Sequence, residues 1–475
     1  MRLTALLLGL GALFALPLAA FERDSSLVAP EAVYGFIEAV EAEDIAVNSF
    51  MLVVDGSIAA EGYWAPFQRE DFSYLASLSK GYYSTAIGFA VQEGLLTLDD
   101  KVISFFPDDL PEVVSDRLAA LTVRDMLRFR TGHTLDTARF MWSDQAESPE
   151  KMFFERPLEH EPGSHFLYNN GIPYMLGRII EKVSGERFID YIGKRLFEPL
   201  GIKCAAEDVK ENDLSRLQIE SIARFGQFLL QKGEWNGEQL LNREWIEAAT
   251  SWQGDSVGHM DEPDWLQGFG YMFWMCQHGF FRGDGSHCQF MVVMRELNAV
   301  LVITGSHQNY QKTLDVAYAT LVAGLREGFE PESRVSGEEL AARLAALEVR
   351  LPSVVPALEA GEYTLAFEVD ENSPPKSWQV RVTESSVEFN YGDAGVTTFP
   401  IGSWDRAQLY EEMLFFDAEN IYIRAAWSRP DELTLYAFIP PFRNECKYRF
   451  DGGKVAIKGV FGKEYTGVIT RNGAE

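Results

Sequence analysis

The stretch FSYLASLSKGYYSTAIGFAVQEGLLTLDDKV, Phe72 to Val102, places Ser77 three residues before Lys80 at the start of a long apolar pattern. Residues three apart on a helix share a face, so the hydroxyl and the ammonium can touch. Such a pair is either a nucleophile beside its base or a capping serine beside a solvated lysine. Ser-x-x-Lys recurs at Ser148–Lys151 and at Ser373–Lys376. The last reads SPPK, and its two prolines exclude a helix interior. SPEK can open a helix with Ser148 as cap and Pro149 at the first position, but a polar, loop-like stretch precedes it. Only Ser77 is followed by a sustained apolar pattern, Ala86, Ile87, Phe89, Ala90 and Val91, running to the stop signal at Gly94.

On the N-terminal side, APEAVYGFIEAVEAE reads as an amphipathic helix, and SFMLVVDGSIAAEGYW as a hairpin turning at Asp55-Gly56. On the C-terminal side the chain is mainly helical as far as Pro199. LTVRDMLRFRTGH predicts one helix stopped by Gly132, and YMLGRIIEKVSGERFIDYIGKRLFEPLG predicts two more divided at Gly185. SIARFGQFLLQKGEW predicts another, ended by Gly233. From Phe269 the pattern changes to strands, FGYMFWMC, CQFMVVM and AVLVITG, with QHGFFRGDGSH and RELN as the turns between them. QKTLDVAYATLVAGLREG then closes the unit with a helix.

Strands close in sequence pair antiparallel, so this pattern predicts an α+β fold: an antiparallel sheet flanked by helices, with an inserted helical subdomain. The unit spans residues 29–328. Charged, alanine-rich sequence over 329–351 reads as a helical linker. Over 352–475 the period becomes two, and about eight short strands predict a small C-terminal all-β domain, a sandwich or a barrel.

The 475 residues leave room for two or three domains, and 71 acidic against 42 basic residues give a net charge of −29. With no basic surplus to neutralise phosphates, nucleic acid is not an expected partner; the charge serves solubility. Residues 1–20 read as a secretory signal peptide, with a mature start near Phe21 and an exported protein (periplasmic, cell-surface or secreted). Glycines and Pro17 interrupt the apolar run and Glu22, Arg23 and Asp24 follow it, so no stable membrane span is expected after cleavage. Four cysteines are too few for a disulfide scaffold, although Cys276 and Cys288 flank one hairpin where export would permit a bridge. His160 and His165 lie close in HEPGSH, but Pro162-Gly163 breaks any helical metal face, and neither a metal nor a cofactor is expected.

An activated serine needs a base, an oxyanion stabiliser and a proton for the leaving group. Gly-x-Ser-x-Gly occurs around Ser256, at Gly254–Gly258, but helix-like REWIEAATSW precedes it and polar HMDEPDW follows. That context is a loop, not a strand-to-helix elbow. A tyrosine relay fits better: Tyr168-Asn169-Asn170, in EPGSHFLYNNGIPYMLG, is the only Tyr-x-Asn in the chain and lies in a loop before a helix.

Several blocks then line up in order. They are SLSKGYYSTAIGFAVQEGLLTLDDKV, LTVRDMLRFRTGH, EPGSHFLYNNGIPYMLGRIIEKVSG, LFEPLGI, ARFGQFLLQKGEWNGEQLL, and GFGYMFW with GDGSHCQFMVVM. From Pro30 to about Gly328 the chain resembles the serine β-lactamase and penicillin-binding-protein superfamily. The resemblance is specifically to its class C-like group of esterases, D-amino-acid peptidases and nylon-oligomer (6-aminohexanoate-dimer) hydrolases. It implies Ser77 as nucleophile, Lys80 as its base, Tyr168 as general acid/base and Asn170 as a contact to the substrate amide.

The family's third motif, Lys- or His-Thr-Gly, falls on Gly283-Asp284-Gly285 when counted back from Gln289, so the basic residue is missing. In β-lactamases and peptidoglycan enzymes that cation helps hold a substrate carboxylate, and its loss argues against an efficient β-lactamase. Arg282 is adjacent, but neighbours on a strand point to opposite faces. Gly285 still lets backbone approach substrate, and the amides of Ser77 and Ser286 are the expected oxyanion donors. KCAAEDVKENDLSRLQ is short for the cleft-lining loop expected after LFEPLGI, which leaves the site open. His287 reads as a surface-turn histidine, His133 as serving a helix end, and Trp252, Trp265, Phe269 and Tyr271 as aromatic core. The resemblance implies hydrolysis of a small-molecule ester or amide through an acyl-serine intermediate. The alternatives are a D,D-peptidase or β-lactamase-like peptidoglycan enzyme, and a catalytically weak binding protein on the same fold.

Overall fold

The segment VNSFMLVV (β1, Val47–Val54) is buried along its whole length, so both of its faces must be covered. It turns at Asp55-Gly56, both at positive φ, the twist that joins two residues of hairpin loop to right-handed strands. β2 (Ser57–Tyr63) follows. In the computed structural model, which describes residues 21–143, 148–212, 214–327, 335–368, 376–409, 418–439, 442–459 and 464–473, four later strands complete this sheet. They are β3 (Trp274–Met275), β4 (Phe281–Gly285), β5 (Gln289–Met294) and β6 (Ala299–Gly305). The order is β2-β1-β6-β5-β4-β3, antiparallel throughout. Ile219–Leu230 packs over β1, β5 and β6, while Pro30–Ala42 covers β1 through the Phe36–Phe50 ring contact at 5.1 Å. The α+β reading holds.

The inserted helices stand beside this sheet. α1 (Lys80–Gln92) packs on α2 (Gly171–Ser184), and Tyr83 stacks on Phe188 just beyond, with centroids 4.2 Å apart. Ser148 caps the helix Pro149–Phe154 by accepting from the Lys151 amide, so this second Ser-x-x-Lys is a helix start. Ser373 and the segment 1–20 lie outside the described residues.

Four readings need correction. LTVRDMLRFRTGH is not one helix to Gly132: only Val123–Leu127 is α-helical, opened by the Thr122–Asp125 capping box. Phe129 takes φ 55° and drives its ring against Tyr168 and Phe269, so packing overrides propensity there. QHGFFRGDGSH is not simply a turn, because Phe281–Gly285 pairs with β5 along its full length. Its Gly-Asp-Gly conceals a strand whose residues are nonetheless nearly all buried. In turn, FGYMFWMC contributes only Trp274–Met275, since Met272 at φ 65° breaks the extended run. Finally, Cys276 and Cys288 are not bridged to each other: both are buried thiols.

Gly337–Ala345 is a helix docked on the first domain, with Arg343 paired to Glu38 and Glu41 and Leu340 buried. Beyond it, ten described strands form one antiparallel sheet. Alternating burial, as along Lys376–Val382, gives it one apolar face. The sheet rolls into a barrel-like form around Leu365, Val387, Phe399, Leu435 and Cys446. Its two end strands meet where Thr397 Oγ1 donates to the Gln408 carbonyl at 3.2 Å. Three of its strands, β7 (Ala418–Arg429), β8 (Glu432–Ile439) and β9 (Phe442–Asp451), rest on the first domain. Phe438 stacks on Phe67 at 5.9 Å, and the Tyr422 hydroxyl donates to Asp71 at 2.9 Å.

Candidate active site

Ser77 lies in a 3-10 turn, Ala76–Ser79, immediately before α1. The chain enters this turn from the short strand Phe72–Tyr74, held against Arg216–Gln218, and Leu75 N donates to the Ser215 carbonyl at 2.6 Å. Ala76 is forced to φ 49°, a costly conformation for a residue with a Cβ, and of a kind that clusters at functional turns. Ser79 Oγ closes the turn on the Ala76 carbonyl at 2.8 Å.

Lys80 Nζ donates to Ser77 Oγ at 2.7 Å and to Asn170 Oδ1 at 3.1 Å. The ammonium is nearly sealed from solvent, its residue 7% exposed. Burial depresses its pKa to about 8, with Asp284 and Asp136 pulling the other way. Tyr168 lies beside the same serine, and Lys80 Nζ stands 5.0 Å from its ring centroid. Burial, and then the Asp284 charge, push the phenol well above its ordinary value. The two titratable groups on Ser77 are thus driven apart: the amine toward neutrality, the phenol toward holding its proton.

The Tyr-x-Asn segment is fixed by residues that sequence reasoning missed. Asp136 accepts from Asn170 N at 2.9 Å and from Asn170 Nδ2 at 2.7 Å, which aims Asn170 Oδ1 at Lys80. Asn169 is fully buried, and its Oδ1 accepts from Thr137 Oγ1 at 2.8 Å and Gly171 N at 3.0 Å. Tyr168 packs in one ring cluster with His259 (4.4 Å) and Trp274 (5.7 Å), which stand 5.3 Å from each other, and Phe129 meets it edge-on at 5.0 Å. Asp136 follows the Gly132-His133 block, but no local pattern distinguishes it. His259 lies just past the Gly254–Gly258 motif, which drew attention only to its serine.

Gly285 ends β4 beside the Ser77 turn and Ser286 follows it, and Ser286 and Ser77 line one cleft of about 520 Å³ together with Lys80 and Asn170. A Cβ on Gly285 would stand 2.1 Å from the Leu75 carbonyl oxygen, so only glycine lets the strand approach this closely. His287 and Cys288 follow at φ 64° and 63°, which places backbone strain on both sides of the cleft. Asn212, Leu214 and Ser215, from the short stretch after LFEPLGI, line its far side.

The third motif offers no cation to the cleft. A Cβ on Gly283 would meet Leu78 at 3.4 Å and Met291 at 3.6 Å, so this position faces packed interior. Arg282 is fully buried. It lies over Trp265 at 4.2 Å, donates to Asp284 at 3.0 Å and to the Asp264 carbonyl at 3.0 Å, and cannot serve a ligand in the cleft.

Other candidates resolve as structural. Ser256 is fully buried, donates to the Trp265 carbonyl at 2.6 Å and accepts from Gly268 N. His133 does not close a helix: Nδ1 meets Thr131 Oγ1 at 2.8 Å and the ring packs on Phe153. Trp265, Phe269 and Tyr271 are core, whereas Trp252 is 59% exposed. Among the described residues no group of three or more His, Cys, Asp or Glu is placed to hold a metal ion.

Comparison with known proteins follows the same geometry. The Beta-lactamase family model matches residues 36–324. A lovastatin esterase of Penicillium rubens is 30% identical over 159 residues, which cover 29% of this chain and 40% of the esterase. The chain therefore spans about two fifths of that relative's length. The 6-aminohexanoate-dimer hydrolase of Paenarthrobacter ureafaciens is 22% identical over 300 residues, 55% of this chain and 72% of that enzyme. The solved structure of EstCE1, a hydrolase with promiscuous acyltransferase activity, covers 62% of this chain and 99% of its own at TM-score 0.51 and 15% identity. At that identity the likeness establishes the fold alone.

Proposed function

This chain belongs to the Beta-lactamase family of serine hydrolases, and we propose that it hydrolyses a neutral ester or amide through an acyl-serine intermediate on Ser77. The observation that carries this reading is Lys80: its amine lies 2.7 Å from Ser77 Oγ, is buried, and hydrogen-bonds two neutral groups. A lysine in that setting loses its proton near pH 8 and can take one from serine. As Ser77 Oγ attacks the carbonyl carbon, its proton passes to neutral Lys80, and the carbonyl oxygen becomes an oxyanion facing the amides of Ser77 and Ser286. Collapse breaks the bond to the leaving group, which takes the Tyr168 proton, and Tyr168 is reprotonated from Lys80. Water then cleaves the acyl-serine with the same groups acting in reverse. Asn170 orients the substrate amide or carbonyl from the opposite wall.

Neutral substrates are favoured because, among the described residues, the third motif gives a carboxylate no partner. Gly283 supplies no charge, Arg282 is pinned under Trp265, and Asp284 adds a negative charge beside Tyr168. A lost charge-assisted contact is worth about 1.5–3 kcal/mol, roughly one to two orders of magnitude in binding. The protein should hydrolyse p-nitrophenyl butyrate and turn over nitrocefin poorly; rapid nitrocefin turnover would overturn the preference. Residues 1–20 serve as an export signal on this reading, and among the described residues no helix is long and apolar enough to cross a membrane.

A further inference from the structure

Phe442 is a large apolar side chain left 37% exposed, at the first position of β9 in the C-terminal domain. Its ring stands edge-on to His287 at 5.1 Å and tilted against Tyr74 at 5.8 Å. Tyr74 and Ser286 both line the cleft that holds Ser77. The neighbouring residue anchors it. The Arg443 guanidinium is inserted into the first domain, donating to Asn48 Oδ1 at 2.9 Å and to the Val47 carbonyl at 2.9 Å. Burial depresses the Arg443 pKa to about 10, a penalty that fits a side chain held in place by docking.

We propose that Phe442, supplied by the C-terminal domain, completes the wall that receives the acyl half of the substrate, and that preferred substrates carry an extended apolar acyl chain. The inference rests on the acyl-serine reading above. A leaving group must lie against its proton donor, Tyr168, whose ring is enclosed by His259, Trp274 and Phe129. The Tyr74–Phe442 wall is built from other elements, next to Ser286, and is left to the acyl group. Tyr83, Trp142 and Tyr174 also line the cleft, so a methylene chain entering it finds ring faces among the polar groups. The β-domain then acts as part of the binding site, and its docking sets substrate length.

The test measures kcat/KM for p-nitrophenyl acetate, butyrate and octanoate on the full chain. Wild type should prefer the longer acyl groups. Phe442→Ala should lower the octanoate-to-acetate ratio about tenfold, the effect of losing contact with roughly two methylenes. Phe442→Leu, which keeps apolar surface, should lower it only two- to threefold. Val468→Ala, an exposed position on Glu464–Arg471, should leave it unchanged. Should the alanine variant fail to fold, the leucine variant carries the test. An unchanged ratio, or an equal loss on every ester, would overturn the inference while leaving the hydrolase reading intact. Wild type that turns over none of the esters would overturn both.

Discussion

At the scale of the residue, Lys80 sets how the site responds to pH. On the proposed mechanism activity requires the neutral amine, so kcat/KM for a neutral ester should rise with pH, with a midpoint near the folded-state value of about 8. A rate flat from pH 6 to 10, with chemistry limiting, would remove lysine as base. The same shift has a stability consequence. The folded pKa lies below the unfolded 10.5, so the cost of burying charged Lys80 is fully present below about pH 8 and disappears as pH rises toward 10.5. Relative to Lys80→Met, wild type should therefore gain roughly 2 kcal/mol between pH 7 and pH 9.5 in urea denaturation. A constant difference would contradict the buried-amine assignment. That Ser77, Lys80, Tyr168 and Asn170 come together was legible because each sits in a short motif of fixed spacing. Asp136 and His259 were not, because they act by aiming or stacking on those residues from loops that share no pattern with them.

At the scale of the element, β4 is the least legible strand and the one on which the cleft depends. Gly283-Asp284-Gly285 has poor strand propensity and reads as a turn, yet it pairs with β5 residue for residue. Its glycines answer to tertiary contacts, which no local pattern encodes. Gly285→Ala brings a Cβ to 2.1 Å from the Leu75 carbonyl and 3.1 Å from Ala76 Cβ. The strand must move off the Ser77 turn, pulling the Ser286 amide away from the oxyanion. The expected result is a fall in kcat of about 100-fold or more, with a loss of stability of about 1–3 kcal/mol. Unimpaired kcat in a folded variant would show that Ser286 N takes no part. The helix at Val123–Leu127 errs in the opposite direction. Its sequence continues to favour helix, but burying Phe129 beside Tyr168 ends it early.

At the scale of the whole molecule, alternation made the C-terminal strands visible, but neither their closure into a barrel-like sheet nor their docking could be read from local periodicity. Closure depends on the two end strands meeting at Thr397 and Gln408, and docking on contacts between residues hundreds apart, such as Tyr422 with Asp71 and Arg443 with Asn48. Phe438 and Tyr422 join the core of the first domain, so the two domains should unfold together. Arg443→Ala removes buried charge-assisted hydrogen bonds worth about 2 kcal/mol or more. Calorimetry should show one transition for wild type and a separate, lower transition of the C-terminal sheet in the variant. Two transitions already present in wild type would mean that the docking is weak.

The central claim is that Ser77 becomes acylated. Intact-mass analysis of the full chain quenched during turnover of p-nitrophenyl butyrate, followed by peptide mapping, reads this directly. A butyryl adduct on the peptide carrying Ser77, absent in Ser77→Ala of unchanged thermal stability, is the predicted result. An adduct on another residue, or full turnover by Ser77→Ala, would contradict it.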